Sequence, residues 1–166
     1  MNQELLNELL ALVQRDTATR SRLLSEGKLY GDYSREMQDV HRENAKRLAE
    51  ITVTHGWPGI SLVGVEGCRA AWLIAQHSIC TPELQREFLA LLTKASRCGE
   101  APKKQLAFIT DRIRFNEGKP QIYATVLDWN EKGELSCEVE DPANLDARRK
   151  ELGLAPFRED LEKHRN

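Results

Sequence analysis

Helical spacing of apolar residues governs most of this chain, and in one stripe that spacing takes in polar residues as well. Met37, His41, Asn44, Leu48 and Ile51 follow one another at intervals of four, three, four and three, which puts all five on one side of an α-helix. The periodicity that buries Met37 and Leu48 therefore buries His41 and Asn44 too. The same tension recurs in Ala70-Ala71-Trp72-Leu73-Ile74-Ala75-Gln76-His77-Ser78, a nearly all-apolar helix that ends in Gln76 and His77. A buried polar side chain is costly unless it is hydrogen-bonded, so each of these needs a partner or a purpose. The pattern implies a polar cluster inside a helical protein.

The rest of the chain extends that architecture. Leu5, Leu6, Leu9, Leu10, Leu12 and Val13 open an amphipathic helix reaching roughly to Leu24, which Gly27 and Tyr30-Gly31-Asp32 break. Ser34 is placed to cap a second helix running to about Thr54. His55-Gly56-Trp57-Pro58-Gly59 excludes helix, and Ile60 to Gly64 reads as an irregular or short extended link. A third helix runs from about Glu66 to Ile79. Thr81-Pro82 then restarts a fourth, with Leu84, Phe88, Leu91, Leu92 and Ala95 as its core face. The fifth runs from about Pro102 to Phe115, with Leu106, Ile109 and Ile113 on one edge and Phe108 and Phe115 on the other. From Gln121 to Trp129 β-branched and aromatic residues take over, Asn130-Glu131-Lys132-Gly133 reads as a turn, and Leu135 to Val139 as a second strand. Asp141-Pro142 starts a further helix ending at Gly153, and Pro156 a short charged terminal segment. The expected fold is mainly α: one compact helical domain over residues 1–166, with five to seven helices and a C-terminal β-hairpin.

Composition narrows the partners. With 24 basic against 26 acidic residues there is no sequence-wide field to attract nucleic acid or anionic lipid. Arg148-Arg149-Lys150 is interleaved with acids and reads as a solvated helix face. No apolar run approaches the ~20 residues of a membrane span, and the amino terminus lacks the pattern of a secretory signal. Cys68, Cys80, Cys98 and Cys137 share no CxxC spacing, so free thiols in a reducing cytoplasm are expected. The leucines at 5, 6, 9, 10 and 12 give the first helix a broad apolar face suited to self-association.

Several blocks resemble one family when taken in order. They are His41-Arg42-Glu43-Asn44, His55-Gly56-Trp57-Pro58, Ala71-Trp72-Leu73-Ile74-Ala75-Gln76-His77, Asp111-Arg112-Ile113, Gln121-Ile122-Tyr123, and Asp146-Ala147-Arg148-Arg149 before Gly153-Leu154. The chain resembles, over nearly its whole length, a family of small, mostly bacterial proteins catalogued only as a domain of unknown function. Members of that family typically carry Gly after the tyrosine, often within Gly-Thr-Gln; here the sequence is Ala124-Thr125-Val126. The resemblance implies that these positions matter and brings no activity with it.

The candidate site follows from the polar residues at apolar positions. His77 is either a core histidine that locks helix packing or a pocket base, since an imidazole near its ordinary pKa suits proton transfer at neutral pH. In the second reading the pocket is lined by His41, Asn44, Arg112, Gln121 and Tyr123. His77 would be the general base or acid, Asp111 its orienting carboxylate and Arg112 an anion clamp. Arg112 is equally suited to an internal ion pair with Asp141 or Asp146. Asp39-x-His41 points two ligand types to different helix faces, and no pair sits at i and i+4 as in HExxH, so neither metal nor cofactor is expected. No GxSxG elbow fixes a base beside Ser61, Ser78, Cys68 or Cys80, and Gly64-Val65-Glu66-Gly67 lacks the phosphate-loop lysine. Two functions remain open. One is a cytoplasmic domain with a polar pocket for a small molecule or peptide, with His-based acid–base catalysis as its enzymatic form. The other is a non-catalytic protein-interaction or regulatory protein.

Overall fold

Asn2 starts the first helix by accepting a hydrogen bond from the Leu5 amide at 3.1 Å, which satisfies one of the amides a helix leaves unpaired at its start. A computed structural model describes residues 1–29, 33–129 and 135–165, with side chains to residue 163. Among them are seven α-helices: α1 (Gln3–Ser25), α2 (Arg35–His55), α3 (Ile60–His77), α4 (Pro82–Arg97), α5 (Lys104–Asn116), α6 (Leu145–Glu151) and α7 (Phe157–Arg165). Two short strands, β1 (Asp128–Trp129) and β2 (Leu135–Ser136), form the hairpin. The fold is mainly α, as the periodicity requires. The chain divides into two units, Met1–Ala101 and Pro102–Asn166, at a point where its composition shows no linker.

In the first unit α1 packs on α3 and α2, and α4 packs on α3. Leu5, Leu9 and Leu23 of α1 are buried, as are Met37, Val40, Leu48 and Ile51 of α2 and Phe88 and Leu92 of α4. Each such side chain contributes about 1.5–3 kcal/mol by leaving water. The link expected at 60–64 is instead the first turn of α3, and Gly64 (φ 72°, ψ 176°) then interrupts the helix. A left-handed φ is easy only for glycine, so the helix changes direction there. One turn later a Cβ on Gly67 would lie 2.6 Å from Val63 Cβ and 3.0 Å from Leu6 Cδ1. Glycine at this position is what permits the close approach of α1 to α3. Gln85 of α4 donates at 3.1 Å to the carbonyls of both Ala75 and Gln76, closing the carboxyl end of α3. Thr81 and Ser34 precede their helices as expected, without a side-chain cap bond.

The second unit departs furthest from the sequence expectation. The hairpin forms, with Asp128 opposite Ser136 and Trp129 opposite Leu135, but each strand is two residues long. Its turn, Asn130-Glu131-Lys132-Gly133, lies outside the described residues, as does the break at Tyr30-Gly31-Asp32. Residues 121–126, expected as strand, form a loop wrapped around Asp111, apart from a bridge between Gln121 and Val139. Asp111 accepts from the amides of Ile122 (2.8 Å), Tyr123 (3.1 Å) and Thr125 (2.9 Å) and from the Thr125 hydroxyl (2.9 Å). Four donors on one carboxylate outweigh the strand preference of the side chains. Ala124 sits in this loop at φ 56°, a left-handed position that glycine adopts more easily than alanine.

Arg149 corrects the reading of Arg148-Arg149-Lys150 as a solvated face. Its side chain is fully buried, donating to the carbonyls of Ala155 (2.7 Å) and Tyr123 (2.6 Å) and pairing with Asp160. Arg148 holds the Ile122 and Glu140 carbonyls, leaving only Lys150 exposed. Replacing a buried, fully bonded guanidinium strands every group it satisfied. Arg149→Met is therefore expected to lower unfolding stability by about 3–5 kcal/mol. Urea denaturation checks this, and a loss below about 1 kcal/mol would mean that Arg149 does not hold the loop.

Candidate functional site

Three helices of the first unit converge on one carboxylate. Asp16 comes from the middle of α1, His41 from α2 and His77 from the last residue of α3. His77 Nδ1 lies 2.6 Å from Asp16 Oδ2, and His41 Nε2 lies 3.2 Å from the same oxygen. The two imidazole rings are tilted against each other with centroids 5.2 Å apart. On its far side His41 Nδ1 is hydrogen-bonded to the Tyr33 hydroxyl. Asp16 and His41 side chains are only 9% and 10% exposed, whereas that of His77 is 37% exposed. The cluster is buried at its base and open on one imidazole.

Its electrostatics follow from that placement. Burial alone pushes the Asp16 carboxyl up, but its contacts with His41 and His77, and the charge those rings carry when protonated, outweigh burial. They hold Asp16 well below the usual carboxylate range. Burial pushes the Tyr33 phenol up, and the neighbouring Cys80 and Asp16 add to the shift. Tyr33 is thus a neutral hydroxyl beside His41. Asn44 sits one helical turn along α2 from His41 and donates to the Leu12 carbonyl at 3.1 Å, pinning α2 to α1. Its Oδ1 is buried without a hydrogen-bond partner, and His41 Nε2, although 3.2 Å from Asp16 Oδ2, makes no hydrogen bond to it.

The residues expected to share one pocket divide between the two units. His41, Asn44 and His77 belong to the first; Asp111, Arg112, Gln121 and Tyr123 belong to the second. The carboxylate bonded to His77 is Asp16, and Asp111 spends its oxygens on the 122–125 segment. Gln121 is buried and exchanges two hydrogen bonds with the Val126 backbone, at 2.6 and 2.9 Å. Arg112 is half-buried, and loss of water lowers its guanidinium pKa. The ion pair foreseen for it with Asp141 is made by Arg148 instead. Burial likewise pushes the Tyr123 phenol up. A cleft of about 290 Å³ in this unit is lined by Phe115, Lys119, Gln121, Trp129 and Cys137, among others, but holds no histidine.

Asp16 and Tyr33 are the site residues that the sequence reading missed. Tyr33 carries no signal, whereas Asp16 continues the stripe Leu5, Leu9, Leu12 at intervals of four, three and four and is followed seven residues later by Leu23. An acid in register with leucines marks an enclosed charge. The donor set Asp16, His41 and His77 also offers one oxygen and two nitrogens within 4.8 Å of one another. No spacing rule within one helix finds such a set, because its members come from three.

A family model covers residues 3–164. The chain belongs to the family of unknown function DUF6624. That span reaches across both units and includes Asp16, Tyr33, His41, Asn44 and His77. No curated protein and no solved structure matches this DUF6624 chain. Among the described residues, no helix is long and apolar enough to cross a membrane. All four cysteines are free thiols.

The depressed Asp16 pKa has a defined sign in stability. Its folded value lies below the ordinary ~3.9 of the unfolded chain, so its ionised form supports the fold above about pH 4, and that support fades as pH falls further. The stability difference between the native protein and Asp16→Asn is expected to be fully present above about pH 5 and to shrink below about pH 4. Urea unfolding across that range checks it; a difference that widens in acid would contradict the ionised state.

Proposed function

We propose that DUF6624 chains of this type are cytoplasmic enzymes that bind a small polar molecule at the Asp16–His41–His77 cluster and move a proton on it through His77. The observation that carries this reading is the 2.6 Å contact from His77 Nδ1 to Asp16 Oδ2 on an imidazole more than a third exposed. A carboxylate accepting from Nδ1–H fixes the tautomer and leaves Nε2 with its lone pair free. A histidine serving only the core would bury that second nitrogen against a partner. Asp16 is held ionised at the base of the site and steadies the imidazolium that forms when His77 takes up a proton. His41, braced by Tyr33, keeps Asp16 from turning away.

The reading assigns proton transfer to His77, positioning to Asp16 and His41, and no step to Asp111 or Gln121, whose side chains are committed to backbone. The free thiols support a reducing compartment. Purified protein should turn over one class in a panel of small esters, lactones, amides and phosphoesters. His77→Ala should lower that turnover by about 10²–10⁴-fold, measured at a temperature where circular dichroism shows the variant folded. Full turnover in His77→Ala would remove His77 from the chemistry.

A further inference from the structure

His41 is the part of the cluster that proton transfer leaves unexplained. Its side chain is nine-tenths buried, and its Nε2 has no hydrogen-bond partner although Asp16 Oδ2 lies 3.2 Å away. With His41 neutral, the Tyr33 hydroxyl at Nδ1 allows two proton arrangements. If Tyr33 donates, the remaining proton sits on Nε2, which has no hydrogen-bond partner. If Tyr33 accepts, the Nε2 lone pair faces a carboxylate oxygen, and two electron-rich atoms are held together in a buried place. Neither arrangement is good without something positive between them. His77 Nδ1 approaches the same oxygen from the other side, so two nitrogens and one oxygen aim at a common point.

Resting on the reading that this cluster is the working site, we infer that Asp16, His41 and His77 bind a single divalent transition-metal ion of the zinc or iron(II) class. Two imidazole nitrogens and a carboxylate oxygen suit such ions and do not suit magnesium or calcium, which take oxygen-only sets. Bonds of about 2.0–2.1 Å to each donor need donors roughly 3–3.5 Å apart. The present separations of 2.6 and 3.2 Å, with all three donors inside 4.8 Å, are within a small side-chain adjustment of that. The outer nitrogen of a metal-bound imidazole ordinarily donates to an oxygen, which is the position Tyr33 holds on His41. Three protein ligands leave coordination positions free, and the exposed side of His77 is where water or substrate reaches them. Metal and proton compete for His77 Nδ1. Proton transfer by His77 belongs to the metal-free form, and a bound ion would supply a polarised water at the same site.

The test is a titration of chelator-treated, full-length protein with Co²⁺ and with Zn²⁺, followed by visible d–d absorption for cobalt and by calorimetry for zinc. One equivalent should bind, with the intense bands of a four- or five-coordinate site. Affinity should fall at least 100-fold in His77→Gln and in Asp16→Asn, and about 10-fold in Tyr33→Phe. Cys80→Ser should bind as the native protein does, which separates this site from a thiolate. His77→Gln alters the most exposed ligand and keeps the comparison valid where a change at the buried Asp16 weakens folding. Failure of the native protein to bind either ion overturns the inference, and so does binding that His77→Gln leaves unchanged. Failure to bind metal while His77→Ala still abolishes turnover removes the metal and leaves the acid–base reading standing. Tight metal binding with turnover indifferent to His77→Ala does the reverse.

Discussion

A carboxylate enclosed by three helices is the constraint on which the first unit turns. Asp16 side-chain exposure is 9%, and an ionised group in that position is tolerable only if its charge is answered. His41 and His77 answer it from α2 and α3, so that α1, α2 and α3 meet at a single oxygen. Asn44 adds a second polar tie one helical turn along α2, on the Leu12 carbonyl. These contacts are worth less to stability than apolar packing of the same volume would be. Their geometric demand is stricter, however, because a helix sliding by one residue would break them all. The polar cluster therefore sets the register in which the leucines pack, and it does so while leaving one imidazole open.

The second unit uses the same device without leaving anything open. Asp111 gathers the amides of the 122–125 segment, and Arg149 gathers the carbonyls of Tyr123, Ala124 and Ala155. Both side chains are fully buried. An irregular loop exposes backbone groups that a helix or sheet would have paired, and a buried acid and a buried base satisfy them from opposite ends. Here the polar groups are spent on the backbone. In the Asp16 cluster they are spent on one another, and His77 retains a face to solvent. That difference decides which cluster is the candidate for chemistry.

What the sequence made legible depended on whether a local rule governed the residue. His41 and Asn44 were readable because a helical stripe carries their burial in its spacing. Asp16 obeys the same rule, but it stands between exposed Arg15 and Thr17 in a helix whose leucines already account for its amphipathicity. Partners that meet from three different helices leave no common spacing, so the sequence points to Asp111 for His77 where the fold supplies Asp16. The strand expected at 121–129 failed for a related reason. Ile122, Tyr123, Thr125 and Val126 do favour extended backbone, but Asp111, ten or more residues earlier, bends them into a loop. Arg149 reads as surface in any window of charged neighbours, and only the carbonyls of the folded loop explain its burial.

The central claim is that Asp16, ionised and buried, fixes the proton on His77 Nδ1 and leaves Nε2 available. Nitrogen-15 NMR of the imidazoles in chelator-treated protein reads that tautomer directly. The account predicts that neutral His77 is protonated on Nδ1 in the native protein and shifts toward the ordinary Nε2–H form in Asp16→Asn. A His77 that is already Nε2-protonated in the native protein, and unmoved by Asp16→Asn, would contradict it.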